Sequence, residues 1–344
     1  MRTRCHFLLF VLVYLAMCPF SPAWADDGDN AYRLGRGYAV GDTGLRLGGY
    51  AAIQTALPQH RAWSFEVNDL SLFLTWDNGG RFHFFSELEA GDLLSAGEHQ
   101  SLGVQNVHFE FERCYLDTLI NNYLSVRLGK YLSPIGQWNS IHAAPLVWTS
   151  SRPVATENLF STHGTGLMLY GSATFAQHLL EYSIYGDASN SLDVQRSENP
   201  FENAAGGHIR YFVSDALQIG ASYANFTLNE HAPARSHLAG LDLAWRYHRY
   251  ELSSELVYRN SQHASKPHTW QGFVQSAIPL TQQWYAISRY EFFQQQQDRT
   301  GQVGLLGLAY RPIPPLTWKL EYRLGSHNSA LAADGFTASF AILF

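Results

Sequence analysis

Hydrophobic and polar residues alternate along most of this chain. In residues 316–325 (LTWKLEYRLG) every second side chain is apolar, and most of the positions between carry a hydroxyl or a charge. The same alternation recurs in residues 107–112, 124–129 and 241–246. A period of two residues places apolar and polar side chains on opposite faces of a β-strand. Helical spacing is not evident after the N-terminal segment, so the pattern predicts an all-β protein.

Sixteen segments fit the strand pattern, and the connections between them alternate in length. Connections 57–63, 90–103 and 132–162 are long, whereas 77–80 and 118–122 are short. A transmembrane barrel has tight turns at one end and longer loops at the other. The predicted strands are 44–56, 64–76, 81–89, 104–117, 123–131, 163–171, 178–186, 206–212, 217–227, 237–247, 251–259, 269–278, 284–293, 302–311, 316–324 and 336–344.

A secreted β-sandwich or propeller is the alternative fold, because it would also alternate apolar and polar positions. The predicted strands of ten or more residues are longer than the usual globular strand and fit a tilted membrane crossing. Tyrosine and tryptophan also concentrate near strand ends, as at membrane interfaces. The sequence therefore predicts a transmembrane antiparallel up-and-down β-barrel over residues 44–344.

Composition agrees with this fold class and narrows the function. The chain has 344 residues, of which 46% are hydrophobic and 14% aromatic, so it is not a disordered chain. A net charge of −6 argues against a nucleic-acid partner. A mean hydropathy of −0.17 argues against a helical membrane protein. Three cysteines are too few for a disulfide scaffold or a cysteine-rich zinc domain.

The N-terminus has the pattern of a targeting segment. Arg2 and Arg4 precede an apolar stretch over residues 7–17, and Ala23-Trp24-Ala25 supplies small residues for cleavage. Residues 1–25 are therefore predicted to be a signal peptide of an exported protein, followed by a short periplasmic lead over residues 26–43. A lipidated Cys18 is the alternative, although Met17 is large for the position before such a cysteine.

The C-terminus resembles that of Gram-negative outer-membrane barrels. Its last nine residues, 336–344 (FTASFAILF), place apolar side chains on one face and end on Phe344. In that family the terminal phenylalanine is an assembly signal read by the barrel-assembly machinery. Residues 129–136 (GKYLSPIG) also resemble the G-K-x-x-x-P-x-G segment of phosphate-selective-type porins.

Together with the signal peptide and sixteen strands, the chain looks like a porin. The resemblance implies an outer-membrane channel, in contact with lipid and lipopolysaccharide, for passive diffusion of ions and small hydrophilic solutes. It also implies a possible homotrimer and no cofactor. Phosphate selectivity is not expected, because the chain has only three lysines.

In the barrel interpretation, side chains on the polar face line the water-filled interior. Basic and acidic residues are nearly balanced there, so no strong ion preference is expected. The residues selected as pore-lining are Arg81, Glu87, Glu110, Glu112, Arg127, Arg246, Arg259, Arg289, Lys319 and Arg323. Glu66, Arg113 and Lys130 fall on the lipid side of the alternation, towards strand ends or at an undetected bulge.

The connection 132–162 is the longest and is predicted to be the third external loop. A connection of this length without secondary structure is commonly functional. Its apolar residues, including Trp138, need burial, so the loop is expected to fold into the lumen and narrow it. Arg152 and Glu157 are the charges predicted at the constriction. Packing of this loop against a neighbouring subunit is the alternative.

Two other functions are considered. Residues 326–329 (SHNS) have the residue types of outer-membrane phospholipases but not their order, and His142 and His163 flank Glu157 without metal-site spacing. Neither catalysis nor a metal site is therefore expected. A plugged or narrow barrel with an adhesion or scaffold role remains the alternative to a channel.

Overall fold

The computed structural model describes residues 32–77, 79–104, 107–141, 143–189, 200–229, 234–262, 268–294, 299–328 and 331–344. The predicted signal peptide, Cys18 and the start of the lead lie outside these residues, as do His142 and Ser329. Among the helices in the described ranges, none has both the length and the apolar character to cross a membrane.

Eighteen strands lie within the described residues, and sixteen of them are long. They are β1 (Tyr38–Ala39), β2 (Leu45–Pro58), β3 (Ser64–Asp77), β4 (Phe82–Gly97), β5 (Gln100–Gly103), β6 (His108–Asn121), β7 (Leu124–Leu132), β8 (His163–Phe175), β9 (His178–Asp187), β10 (Phe201–Phe212), β11 (Leu217–Leu228), β12 (Arg235–Tyr247), β13 (Tyr250–Ser261), β14 (His268–Pro279), β15 (Trp284–Gln294), β16 (Thr300–Tyr310), β17 (Leu316–Ser326) and β18 (Gly335–Leu343).

The long strands form a closed antiparallel barrel. Each pairs with the next along the chain, β4 pairs with β6, and β18 returns to pair with β2. Phe344 and Gly49 exchange two backbone hydrogen bonds of 2.8 Å at this seam. The predicted sixteen-stranded transmembrane-type barrel is confirmed. Closure leaves no free sheet edge, which a bilayer requires because lipid offers no hydrogen-bond partners.

The short strands correct two predicted boundaries. Residues 90–97 belong to β4 and pair with β3, where the sequence predicted a loop. The fourth predicted strand starts four residues later, at His108, because residues 100–103 form β5 and fold back onto β4. β1 pairs with the start of β2, and the Tyr32 hydroxyl donates to the Leu343 carbonyl at 3.4 Å, so the end of the lead lies at the barrel seam.

Irregularities in β6 and β7 turn Arg113 and Lys130 inward. The register between β4 and β6 shifts so that Glu112 is an extra residue, which reverses the side-chain alternation after it. Arg113 Nε then contacts Glu87 Oε2 at 2.6 Å. Gly129 has a φ of 132°, and the Lys130 ammonium after it lies 2.7 Å from Glu110 Oε1. The lipid-side assignment of both residues is wrong for this reason.

Gly129 offers a direct test of this geometry. A Cβ at this position would lie 2.2 Å from the Cys114 carbonyl oxygen, in a backbone conformation that favours glycine. We expect Gly129→Ala to lower the free energy of unfolding by about 3 kcal/mol. The measurement is the urea midpoint of the refolded barrel in detergent micelles. Gly186→Ala is the matched control, because its Cβ would meet no atom within 4 Å. Equal midpoints for the two variants would contradict the prediction.

Candidate functional site

The inward face of the barrel carries pairs of opposite charges. Besides the Glu87–Arg113 and Glu110–Lys130 contacts, Arg127 donates two hydrogen bonds of 2.8 Å to Asp117. Glu112 forms a further pair with His163. Neighbouring strands β4, β6, β7 and β8 therefore bring four of the predicted lining residues together: Glu87, Glu110, Glu112 and Arg127. Glu87 is fully buried, so the arginine beside it compensates a charge that would be costly alone.

A row of aromatic rings follows the same wall. The centroid distances are 5.8 Å between Tyr50 and Phe73, 5.7 Å between Phe73 and Phe85, and 5.4 Å between Phe85 and Tyr115. The Arg113 guanidinium lies 4.6 Å from the Phe85 centroid. Cations over ring faces gain electrostatic stabilisation from the ring quadrupole, so this row helps to fix the charged side chains.

Residues 133–162, here called the docked loop, are held together by hydrogen bonds within the loop as well as by contacts with the barrel wall. The Ser133 amide donates to the Thr162 carbonyl at 2.9 Å, and the Asn139 amide group donates to both Ser133 and Thr162 carbonyls. Arg152 donates to Asn139 Oδ1 at 2.6 Å and to Thr156 Oγ1 at 3.0 Å. Two short 3-10 helices, Trp138–Ile141 and Val154–Thr156, lie within this segment. The loop is therefore a folded unit.

Four wall carboxylates hold the docked loop by accepting hydrogen bonds from it. Glu255 Oε1 accepts from the Gln137 and Trp138 amides at 2.8 and 2.6 Å. Glu251 accepts from the Trp148 indole at 2.8 Å. The other two accept from loop amides: Glu291 from Val154 at 2.8 Å, and Glu321 from Ser150 and Ser151 at 2.9 and 3.0 Å. Such charge-assisted bonds are about twice as strong as neutral ones.

Two wall cations complete the anchoring. Arg289 donates to Thr149 Oγ1 and to the backbone and side chain of Ser151, at 2.7–2.9 Å, and to Glu291 at 2.7 Å. The Lys319 ammonium donates to the Ala144 carbonyl at 2.7 Å and the Thr149 carbonyl at 3.1 Å. Both were expected to line water, but their exposed fractions are only 3% and 5% because the loop covers them.

Apolar residues of the docked loop are buried against inward-facing side chains. Ile135, Leu159 and Phe160 join a cluster with Tyr131 and Phe226. Elsewhere the Trp138 ring meets Phe273 edge-on, with centroids 5.8 Å apart, and Ala143 packs with Tyr50 and Phe73. The loop therefore satisfies its apolar and its polar groups on the wall of its own barrel.

The 129–136 segment gains a structural explanation from this docking. Gly129 and Lys130 set the irregular end of β7, as described above. Gly136 has a φ of 67°, and a Cβ there would lie 2.3 Å from Glu255 Oε2. The Gly136 amide donates to Ser222 Oγ at 3.0 Å. Its two glycines and lysine thus allow the chain to leave the strand and approach the anchoring carboxylate closely.

The remaining predicted lining residues lie in different places. Arg81 is exposed in the turn before β4, outside the strand that was predicted to begin there. Arg246 is exposed near a strand end, 2.9 Å from Glu251. Arg259 donates to the Leu159 carbonyl at 3.3 Å, and Arg323 is half-buried on β17.

Arg152 and Glu157 lie close to one another in the docked loop. The Glu157 side chain reaches solvent, yet the surrounding protein atoms desolvate it and raise its pKa to about 6. Arg152 opposes this shift. Burial lowers the pKa of Arg152, while Glu157, Glu255 and Glu112 act in the opposite direction. Glu157 is exposed and Arg152 is half-buried.

A small cavity separates the docked loop from the wall. It measures about 120 Å³ and is lined by Gln54, Asn68 and Asp69 from the wall and by Ser151 and Arg152 from the loop. Among the residues that the structure describes, no cluster of three or more histidine, cysteine or acidic side chains could hold a metal ion. His163 contacts Glu112, and Asn328 holds its own turn through bonds to Ala332 and Asp334.

Sequence reasoning missed the anchoring role of the four carboxylates. Glu251, Glu255, Glu291 and Glu321 lie on the polar face of the alternating pattern, but nothing in a single sequence states which charges a distant loop will cover. The loop N–H groups that these carboxylates bind lie more than 100 residues away in the chain, so no local pattern reveals the contacts. Their presence on alternate strands, β13, β15 and β17, is the one sequence feature that indicates a shared role.

Solved structures with this architecture are outer-membrane proteins. The anion-selective porin from Comamonas acidovorans matches with a TM-score of 0.65 and 14% identity, over 87% of this chain and 99% of that one. OmpT of Vibrio cholerae matches with a TM-score of 0.63 and 10% identity, over 87% and 97%. Salmonella typhi OmpF matches with a TM-score of 0.62 and 12% identity, over 89% and 99%. The chain has the fold of outer-membrane porins.

At these identities the likeness establishes the porin fold alone. No protein-family model matches the chain, and no curated protein sequence matches it. The function is therefore inferred from the residues on the inward face of the barrel.

The Glu255 contacts predict how firmly the loop is held. Glu255→Ala leaves two loop amides without their acceptor, which costs about 1–3 kcal/mol for each buried group. We expect amide hydrogen exchange at Gln137 and Trp138 to accelerate by about tenfold or more. Glu66→Ala, which removes a glutamate from β3, is the control. Exchange that stays at the wild-type rate in Glu255→Ala would show that the carboxylate does not anchor the loop.

Proposed function

We propose that this protein is an outer-membrane channel for passive diffusion of ions and small hydrophilic solutes. The observation that carries the proposal is the polar inward face of a closed sixteen-stranded barrel, with residues 133–162 anchored across it. Sixteen strands leave an interior wide enough for an aqueous path beside such a loop. Export through a cleaved signal peptide at residues 1–25 and assembly through Phe344 by the barrel-assembly machinery belong to the same proposal.

We infer that the docked loop forms the constriction. Its hydrogen bonds reach β11, β13, β15, β17 and β18, and Ala143 also packs against Tyr50 of β2 and Phe73 of β3, so the loop narrows the lumen from several sides. Asp69 and Arg152 line the same gap between wall and loop, and the Glu112 charge also acts on Arg152, whereas Glu157 interacts with Arg289 and Arg323. Charges across a narrow gap interact more strongly than in open water, so this constriction would filter solutes by charge as well as size.

A trimeric assembly is compatible with the same fold. One form of OmpT of Vibrio cholerae with this fold is a trimer. We propose a homotrimer for this protein too, in contact with lipid and lipopolysaccharide through its apolar outer face. That outer face exposes large apolar side chains on successive strands, among them Leu241, Ile219 and Leu306.

A plugged barrel with an adhesion or scaffold role is the second candidate. The burial of Ile135, Leu159 and Phe160 against the wall favours it, because an apolar cluster fills part of the lumen. The two functions differ in one observable: a channel conducts ions across a planar bilayer, and a plugged barrel does not.

Removing the loop tests the constriction. Deletion of residues 138–158 takes out both short helices and the charges of Arg152 and Glu157. We expect single-channel conductance to rise and charge selectivity to relax, because the lumen loses its narrowest segment. Heat-modifiability on gels establishes that the deleted barrel is folded. Unchanged conductance in a folded barrel would place the constriction elsewhere, and absence of conductance in both proteins would favour the plugged barrel.

The pKa of Glu157 predicts a pH dependence of selectivity. Below about pH 6 this carboxyl gains a proton, the constriction loses a negative charge beside Arg152, and anions are favoured relative to cations. Because the pKa is raised in the docked loop, the neutral form favours docking, and this contribution is lost as pH rises through about 6.

The measurement is the reversal potential under a salt gradient between pH 7.5 and pH 5. Glu157→Gln should hold the selectivity near its low-pH value at every pH in this range, since the side chain no longer titrates. Glu202→Gln, on the distant strand β10, is the control and should keep the wild-type profile. A wild-type profile in Glu157→Gln would contradict the assignment.

A further inference from the structure

A second and larger cavity lies at the end of the barrel that carries the short turns. It measures about 440 Å³, which is within the range of about 300–1,000 Å³ typical of ligand sites. Residues of β7, β8 and β9 line it, together with the end of β6, the turn between β6 and β7, and His208 of β10. The docked loop is connected to the opposite end of the barrel, because it joins the end of β7 to the start of β8.

The charged groups of this cavity are already paired. Arg127 is held by both oxygens of Asp117 at 2.8 Å, and Glu181 lies 3.3 Å from Arg210. His208, which also lines the cavity, contacts Asp242 at 2.8 Å. Each of these groups already has a partner within the protein, so the cavity offers no unpaired charge to an anionic or cationic solute.

The remaining lining groups suit a neutral molecule rich in hydroxyls. The Tyr170 ring lines the cavity and is half-exposed, with the Arg127 guanidinium 5.0 Å from its centroid. Ser172, Ser183 and Asn122 contribute hydroxyl and amide groups, which both donate and accept hydrogen bonds. A ring face covers the C–H groups of a sugar, while hydroxyls and amides bond its edge.

We propose that this cavity is a binding site for neutral saccharide-like solutes on their way through the channel. The inference rests on the proposed channel function and adds to it a class of solute. Its basis is the compensated charge, the half-exposed Tyr170 ring and the mixed hydrogen-bond donors and acceptors that line one partly open cavity.

The test uses the full chain in planar bilayers, with maltotriose as the probe. Maltotriose should interrupt the ion current in a concentration-dependent manner. Tyr170→Ala should weaken the interruption by about fivefold, the effect expected for loss of one ring contact. Tyr170→Phe keeps the ring and should bind nearly as well as wild type. Tyr290→Ala, on the outer face of β15, is the matched control.

Titration calorimetry of maltotriose with the detergent-solubilised protein separates this inference from the channel proposal. Binding that is weakened in Tyr170→Ala supports the site whether or not the protein conducts. Ion conductance without maltotriose binding overturns the saccharide inference and leaves the channel function intact. Binding of benzoate in place of maltotriose would also overturn it, because it would show a site for an aromatic anion.

Discussion

The pairing of β18 with β2 is the constraint on which the rest of this structure depends. Without it the sheet would have two free edges whose amides and carbonyls could not be satisfied in lipid. Closure also gives the sheet an outer face towards lipid and an inner face towards the lumen. The Phe344–Gly49 hydrogen bonds continue that pairing to the end of the chain. The polar and charged side chains that closure places on the inner face then need partners inside the barrel.

Inside the barrel, the charged side chains mainly bind other groups of the same chain. Glu255 and Glu321 each accept two amides of the docked loop, and Arg289 donates to three of its oxygens. Backbone groups of an irregular loop need partners when they leave water. A wall of carboxylates and cations supplies them at many points, so a segment with little secondary structure can be ordered inside a wide lumen.

The two ends of the lumen differ in the side-chain groups that a solute could contact. In the docked loop, desolvation raises the pKa of Glu157 to about 6, and the Arg152 charge acts against this shift. A carboxyl that titrates in this range beside an arginine suits discrimination between ions. At the other end, Arg127 and Glu181 are compensated, and a tyrosine ring and hydroxyls remain. A path that passes both regions would first sort solutes by charge and then retain them by shape and hydrogen bonding.

The sequence by itself determined the strand number, the faces of most strands, the order of short and long connections and the place of the long loop. These follow from a period-two pattern and from turn lengths, which are local properties of the chain. Only the tertiary structure revealed the extra residue at Glu112 and the turn of the backbone at Gly129, because a bulge reverses alternation without changing composition. It also decided that Arg289 and Lys319 lie beneath the loop. Their burial depends on contacts between residues more than 100 positions apart, and no local pattern encodes which wall charge a distant loop will cover.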